Sequence, residues 1–184
     1  EGVRFSSFHV MAACSPTRSM LLTGVDNHRN GVGNMRETIP REHLGKPGYL
    51  SVLNDAVVTI ATFLRDSGYH TYATGKWHLG TLPNFGPLQS GYEQFFGFRG
   101  GAVDYYSHNG TDQKPDLWDN DVPIERAGYM TQLLGDRAVQ VVNAYAKERR
   151  PFFVSLHFNA PHWPWEAPGD ETESQRIRAT GLAH

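Results

Sequence analysis

Cysteine is almost absent from this chain: its 184 residues include one, Cys14. No disulfide can form within it, so the fold does not depend on an oxidising compartment. A charge of one sign is also missing. With 17 basic residues against 19 acidic ones and a net charge of −2, the composition argues against a nucleic-acid binder and against a polybasic membrane-surface protein. Long apolar runs are lacking as well. Val10-Met11-Ala12-Ala13-Cys14 and Val57-Val58-Thr59-Ile60-Ala61 are core-sized, far short of the roughly 20 residues a membrane span needs. No signal peptide, internal repeat or low-complexity segment is visible. The chain opens on Glu1 and stops after Ala183-His184, and it reads as an internal piece of a longer protein. A periplasmic, secreted, lysosomal or cytoplasmic location is therefore left open.

A chain of this length, 39% hydrophobic and 12% aromatic, has enough apolar surface for one domain with a core. Val3 to Val10 mixes apolar and polar residues as a short strand leading into Cys14. Val25 to Asn54 is rich in Gly, Asn, His and Pro without a sustained period, and reads as loop. Val57, Ile60, Ala61 and Leu64 share one helical face that Gly68 closes, and Tyr69 to Thr74 follows as a strand. Phe95 to Gly101 is too glycine-rich to assign. Leu117 to Ile124 suggests a hairpin around Asp119-Asn120-Asp121. Met130, Leu133, Leu134, Ala138, Val141, Val142 and Tyr145 give the strongest helix, over Tyr129 to Arg149. Phe152 to Phe158 then reads as a strand buried on both faces. The alternation predicts an α/β fold, with a mostly parallel or mixed sheet flanked by helices.

Three polar blocks carry the chemistry. In Cys14-Ser15-Pro16-Thr17-Arg18-Ser19-Met20-Leu21-Leu22-Thr23-Gly24, Pro16 suits the first turn of a helix, Met20-Leu21-Leu22 continue it and Gly24 suits its end. A helix starting near Cys14 sets that thiol among unsatisfied N–H groups at the positive end of the dipole, with Arg18 over the same turn. Taken alone, Cys14 would be a small buried hydrophobe. Its context makes it a potential nucleophile in an anion site. Gly75-Lys76-Trp77-His78-Leu79-Gly80 follows the second strand. In extended backbone Lys76 and His78 project to the same side, one a compact cation and the other a group that moves protons near neutral pH. Asn159-Ala160-Pro161-His162-Trp163-Pro164-Trp165 follows the last strand. The loop Asp104-Tyr105-Tyr106-Ser107-His108-Asn109-Gly110 suits either a pocket wall or a polar turn.

Cys14 to Gly24 resembles the C-x-P-x-R signature of type I sulfatases with its Leu-Thr-Gly ending, and Gly68 to Gly80 resembles that family's G-Y-x-T-x-x-x-G-K-W-H-x-G segment. Pro161-His162 resembles its P-H pair. The resemblance implies an alkaline-phosphatase-like fold and hydrolysis of sulfate monoesters. It implies that Cys14 is converted to formylglycine, whose hydrate is the nucleophile and keeps a second hydroxyl through which sulfate can be expelled. It places Arg18 and Lys76 on the sulfate, His78 as the base for sulfate elimination, and His162 on sulfate or the leaving-group oxygen. His108, with Tyr105, Tyr106 and Trp165, would contribute to substrate preference. Implied partners are a sulfated small molecule or glycan and, during maturation, the formylglycine-generating enzyme.

Family members also hold a divalent ion, usually calcium, which prefers 6–8 oxygen ligands. Only the Cys14 position can be nominated as a ligand here. Asp119-Asn120 lies in the wrong place for the family's metal residues, so residues 1–184 read as an incomplete N-terminal catalytic domain with little activity alone. Two other readings compete: a phosphonate or phosphate monoester hydrolase of the same superfamily, and a non-catalytic binder of sulfated ligands.

Overall fold

A computed structural model of the chain describes residues 2–180, which form two compact units dividing between Val57 and Val58.

The first unit is built on helix α1 (Cys14–Thr23). Ala13 precedes it in extended backbone, and Gly24 closes it at φ 68°, donating its N–H to the Met20 carbonyl over 2.8 Å. Glycine adopts this left-handed cap without the Cβ clash that other residues suffer. Ser15, Pro16, Ser19 and Leu22 form the inward face. The rest is loop, as expected, with short 3-10 turns at Arg36–Thr38 and Arg41–His43 and a single bridge between Val32 and Tyr49. Buried asparagines hold it together, because a buried amide is tolerated only when bonded. Asn30 donates to Ser19 Oγ at 3.0 Å and to the Val25 carbonyl at 3.1 Å, and its Oδ1 accepts from Val32 N.

The strand expected over Val3 to Val10 is not formed. Val3, Phe5, Phe8 and Val10 are exposed, and no described residue offers this segment the ladder that would satisfy a strand's N–H and C=O groups. Alternating β-formers are not enough without a partner.

The second unit is a mixed five-stranded sheet in the order β4-β3-β2-β1-β5. Helix α2 (Ile60–Asp66) starts at Thr59, whose hydroxyl accepts from Thr62 N at 3.0 Å. It leads into β1 (His70–Lys76), which runs parallel to β2 (Gln94–Phe98) on one side and to β5 (Phe152–His157) on the other. The short strands β3 (Trp118–Asp119) and β4 (Val122–Pro123) are the expected hairpin. Helix α3 (Met130–Tyr145) lays Met130, Leu134, Ala138, Val141 and Tyr145 against the sheet, meeting Tyr72, Phe96, Phe98 and Leu117 in the core. Helix α4 (Glu171–Ala179) follows.

Two expectations change here. The glycine-rich stretch that resisted assignment contains β2, because Gly97 lies so close to the backbone of Gly75 that any side chain would collide. Strand β5 is not covered on both faces: it stands at the edge of the described sheet, half-buried, with Leu156 37% exposed. An apolar run reports potential for burial, and the neighbours decide how much is realised.

Candidate active site

In the first unit Cys14 is the first residue of α1 and is partly buried. Arg18 lies one turn on and is also partly buried. The turn between them is tied at both ends: Thr17 Oγ1 donates to the Met11 carbonyl at 2.8 Å, and Ser19 Oγ donates to the Pro16 carbonyl at 2.8 Å. No acidic residue lies in this first turn, so the positive end of the helix dipole is not neutralised locally.

In the second unit Lys76 ends β1 and is 8% exposed. Trp77 acts as a buried peg between Lys76 and His78. Its Nε1 donates to the Phe85 carbonyl at 2.8 Å, and its ring meets Tyr92 edge-on at 6.2 Å. Beyond the strand the pairing continues for two residues, Trp77 N donating to Phe98 O and His78 N to Arg99 O. His78 itself is at φ 55°. The extended backbone on which the shared side of Lys76 and His78 was expected therefore ends at Trp77, since the backbone turns left-handed at His78.

Strand β5 runs parallel to β1 and is its neighbour, so His162 emerges at the same carboxyl edge of the sheet as Lys76 and His78. In open α/β sheets that edge is where ligands bind. Asn159, 2% exposed, donates to the Val103 carbonyl at 2.8 Å and anchors the loop. The Tyr105 hydroxyl donates to the His162 carbonyl at 3.0 Å. His162 Nδ1 donates to the Trp163 carbonyl at 2.6 Å, which leaves Nε2 as the ring atom available for proton transfer.

His108 is 4% exposed, at φ 58°, with Nε2 donating to the Gly128 carbonyl at 2.9 Å. Burial pushes its pKa down, favouring a neutral ring that fixes its own loop. Asp104 tightens the same loop by accepting from Tyr106 N and Ser107 N at 2.9 and 2.6 Å. Burial drives the Tyr105 phenol up to about 12, so near neutral pH it is a donor to His162 and not a base. Tyr106 bonds the Ala167 carbonyl, and Trp165 is 81% exposed.

The described residues do not fit a calcium site: no group of three or more His, Cys, Asp or Glu side chains converges among them. Asp119 and Asn120 have structural roles. Asp119 pairs with Arg137 at 2.8 Å, and Asn120 Oδ1 accepts from Phe95 N at 2.9 Å.

No motif marks Arg99 or Asp116, which hold the turn beside His78, and Tyr105, expected to touch substrate, instead holds the His162 loop through its hydroxyl. Glycine near a strand end was the available sign for Arg99. Nothing local distinguishes Asp116 from any loop aspartate.

The sulfatase family model matches residues 1–181. An uncharacterised sulfatase of Schizosaccharomyces pombe is 36% identical over 193 residues, covering 97% of this chain and 35% of that protein. An arylsulfatase of Klebsiella aerogenes is 34% identical over 180 residues, covering 92% of this chain and 38% of its own length. Among solved structures, BT4656 in complex with its substrate D-glucosamine-2-N,6-O-disulfate superposes with a TM-score of 0.66 at 28% identity, over 90% of this chain and 28% of that one. This chain thus spans little more than a third of the length of these two curated relatives. With C-x-P-x-R at the start of α1, and the Lys-Trp-His and Pro-His blocks leaving neighbouring parallel strands at one edge of a mixed α/β sheet, the chain belongs to the sulfatase family.

Proposed function

We propose that the protein hydrolyses sulfate monoesters to an alcohol or phenol and inorganic sulfate, with Cys14, Arg18, Lys76, His78 and His162 as its working residues. The observation that carries this reading is the exit of Lys76-Trp77-His78 and Pro161-His162 from adjacent parallel strands at the same sheet edge. Two proton-transfer groups and a nearly buried cation at one edge suit a reaction that gathers charge on sulfate oxygens and loses an alkoxide or phenoxide. Matured to formylglycine, as is general in the family, Cys14 supplies a hydrated aldehyde as the nucleophile.

Each side chain has a distinct part. Arg18 offers a planar fork of donors to an oxyanion, one turn along the helix from Cys14. Lys76, held 8% exposed, adds a charge that low solvent access makes stronger than a surface lysine's. His78 takes a proton so that sulfate can leave. His162, with Nδ1 committed to the Trp163 carbonyl, gives a proton from Nε2 to the departing oxygen. His108 enters through the loop that it fixes beside Tyr105. Calcium is the family's usual ion, and the described residues supply no converging site for it, so no step here is routed through it. A sulfated carbohydrate is one substrate class that the BT4656 complex suggests.

The test is mass spectrometry of the peptide from Phe5 to Arg18, using protein made in a host with formylglycine-generating enzyme, followed by turnover assays on sulfate and phosphonate monoesters. We expect the thiol at Cys14 to be replaced by an aldehyde and sulfate esters to be preferred. An unmodified thiol, beside a control sulfatase converted in the same cells, would favour the non-catalytic binder. A preference for phosphonate would reassign the chemistry within the superfamily.

A further inference from the structure

We infer that the turn Arg99-Gly100-Gly101, clamped by Asp116, is a platform that sets the position of the His78 imidazole. Asp116 and Gly101 are then positioning residues for the proton transfer assigned to His78; the inference rests on that assignment.

His78 needs such support. A non-glycine residue at φ 55° is in the sparsely populated left-handed region, where its Cβ crowds the following carbonyl, and it stays there only where its surroundings impose it. The imposition comes from the turn after β2. His78 N donates to the Arg99 carbonyl at 3.1 Å, extending the β1–β2 pairing past the end of β1. One carboxylate then holds the turn itself. Asp116 Oδ1 accepts from Arg99 N at 3.1 Å and Oδ2 accepts from Gly100 N at 2.7 Å, while Trp118 Nε1 donates to Oδ1 at 2.7 Å and fixes the carboxylate. The Arg99 side chain, 5% exposed, locks the far side, bonding Asp121 at 2.6 Å and the Asn120 carbonyl at 3.0 Å and lying 3.9 Å from the centre of the Trp118 ring. The left-handed backbone at His78 is therefore held against a turn that has little freedom to move.

Gly101 supplies the contact surface. A Cβ built there would lie 2.8 Å from His78 Cε1, 3.0 Å from Nε2 and 3.3 Å from Nδ1. Near-equal approach to three ring atoms means that the imidazole lies flat over this position and needs the space a side chain would fill. Gly101 does not have a positive φ, so alanine is acceptable to the backbone. The ring is what must shift, by several tenths of an ångström, since real Cβ contacts under 3.0 Å are essentially unknown. A displacement of that order at a proton-transfer group lowers the chemical step without removing a binding contact.

The experiment compares wild type, Gly101→Ala, Asp116→Asn and His78→Ala in the full-length protein, all carrying formylglycine. It measures kcat and KM on a sulfate ester such as p-nitrophenyl sulfate, thermal unfolding, and the Cε1–H resonance of His78 in 13C-histidine-labelled protein. Gly101→Ala is expected to lower kcat about 10- to 100-fold, keep KM within about two-fold, leave Tm nearly unchanged and move the His78 resonance. Asp116→Asn has one carbonyl oxygen for three donors, so it should move the same resonance and also lower Tm. Wild-type kcat with an unmoved His78 resonance in Gly101→Ala overturns the platform. Full activity in His78→Ala instead overturns the assignment of His78, and with it the catalytic meaning of the platform. The two failures are told apart because the resonance still moves in Gly101→Ala in the second case.

Discussion

At the amino end of β1, Arg150 joins three acceptors: the Gly68 carbonyl at 2.8 Å, the Tyr69 carbonyl at 2.6 Å and Glu93 Oε1 at 2.7 Å. His70 completes the cluster, with Nδ1 at 2.9 Å from Glu93 and Nε2 at 2.8 Å from Glu148, its ring stacked on Tyr145 at 4.6 Å. Replacing Arg150 by alanine removes two bonds to backbone carbonyls, at about 1 kcal/mol each, and an ion pair discounted to under about 1 kcal/mol because the arginine is 38% exposed. The expected loss is roughly 2–3 kcal/mol, a large share of the roughly 5–15 kcal/mol that stabilises a typical domain. Lysine should rescue little, since one ammonium cannot span all three acceptors.

The same cluster has a pH signature. Burial alone would raise the Glu93 carboxyl, but the bonds from His70 and Arg150 outweigh it and hold it below its usual 4.5. A depressed carboxyl contributes stability that is complete above its unfolded value and is lost as pH falls through its folded one. Urea unfolding followed by tryptophan fluorescence reads this unit directly, because Trp77, Trp118, Trp163 and Trp165 all lie beyond Val58. We expect the cost of Arg150→Ala to be smaller at pH 3 than at pH 7, with the carbonyl bonds persisting in acid. Catalytic constants should be unchanged, since Arg150 bonds the start of β1 and Lys76 ends it. A loss below about 0.5 kcal/mol at pH 7, or an equal loss at both pH values, would refute the reasoning.

Gly75→Ala should be far more damaging. Gly75 is at φ 108° and a Cβ would run into the His157 carbonyl, forcing β1 and β5 apart; we expect a cost above about 3 kcal/mol, read as failure to recover folded protein or a large drop in urea midpoint. Tyr105→Phe removes the bond to the His162 carbonyl. It should cost about 1 kcal/mol of stability and lower kcat more than it raises KM, and an unchanged kcat would show that His162 does not depend on it.

The local structure of the chain was legible wherever residues act on near neighbours. Helix α1 starts at Cys14 and stops at Gly24 because proline in the first turn and a left-handed glycine at the end are local signals. The face of α3 follows from 3.6-residue spacing except at Val142, which is exposed, and the helix ends at Tyr145 and not at Arg149. The hairpin at Trp118–Pro123 follows from turn residues between short β-formers. The strand expected over Val3 to Val10 failed because pairing is not a property of one segment.

By itself, the sequence determined the three motif blocks, their order, the family and the alternation of helix and strand, since each is written in residue identity and short-range periodicity. The tertiary structure alone decided which segments pair. It placed β2 beside β1 through the approach of Gly97 to Gly75, turned His78 left-handed against Arg99, and recruited Asp116 from 17 residues away to hold that turn. Such contacts depend on how closely two backbones approach and on which donors a buried carboxylate meets. Those are distances in space, and no window of local sequence contains them.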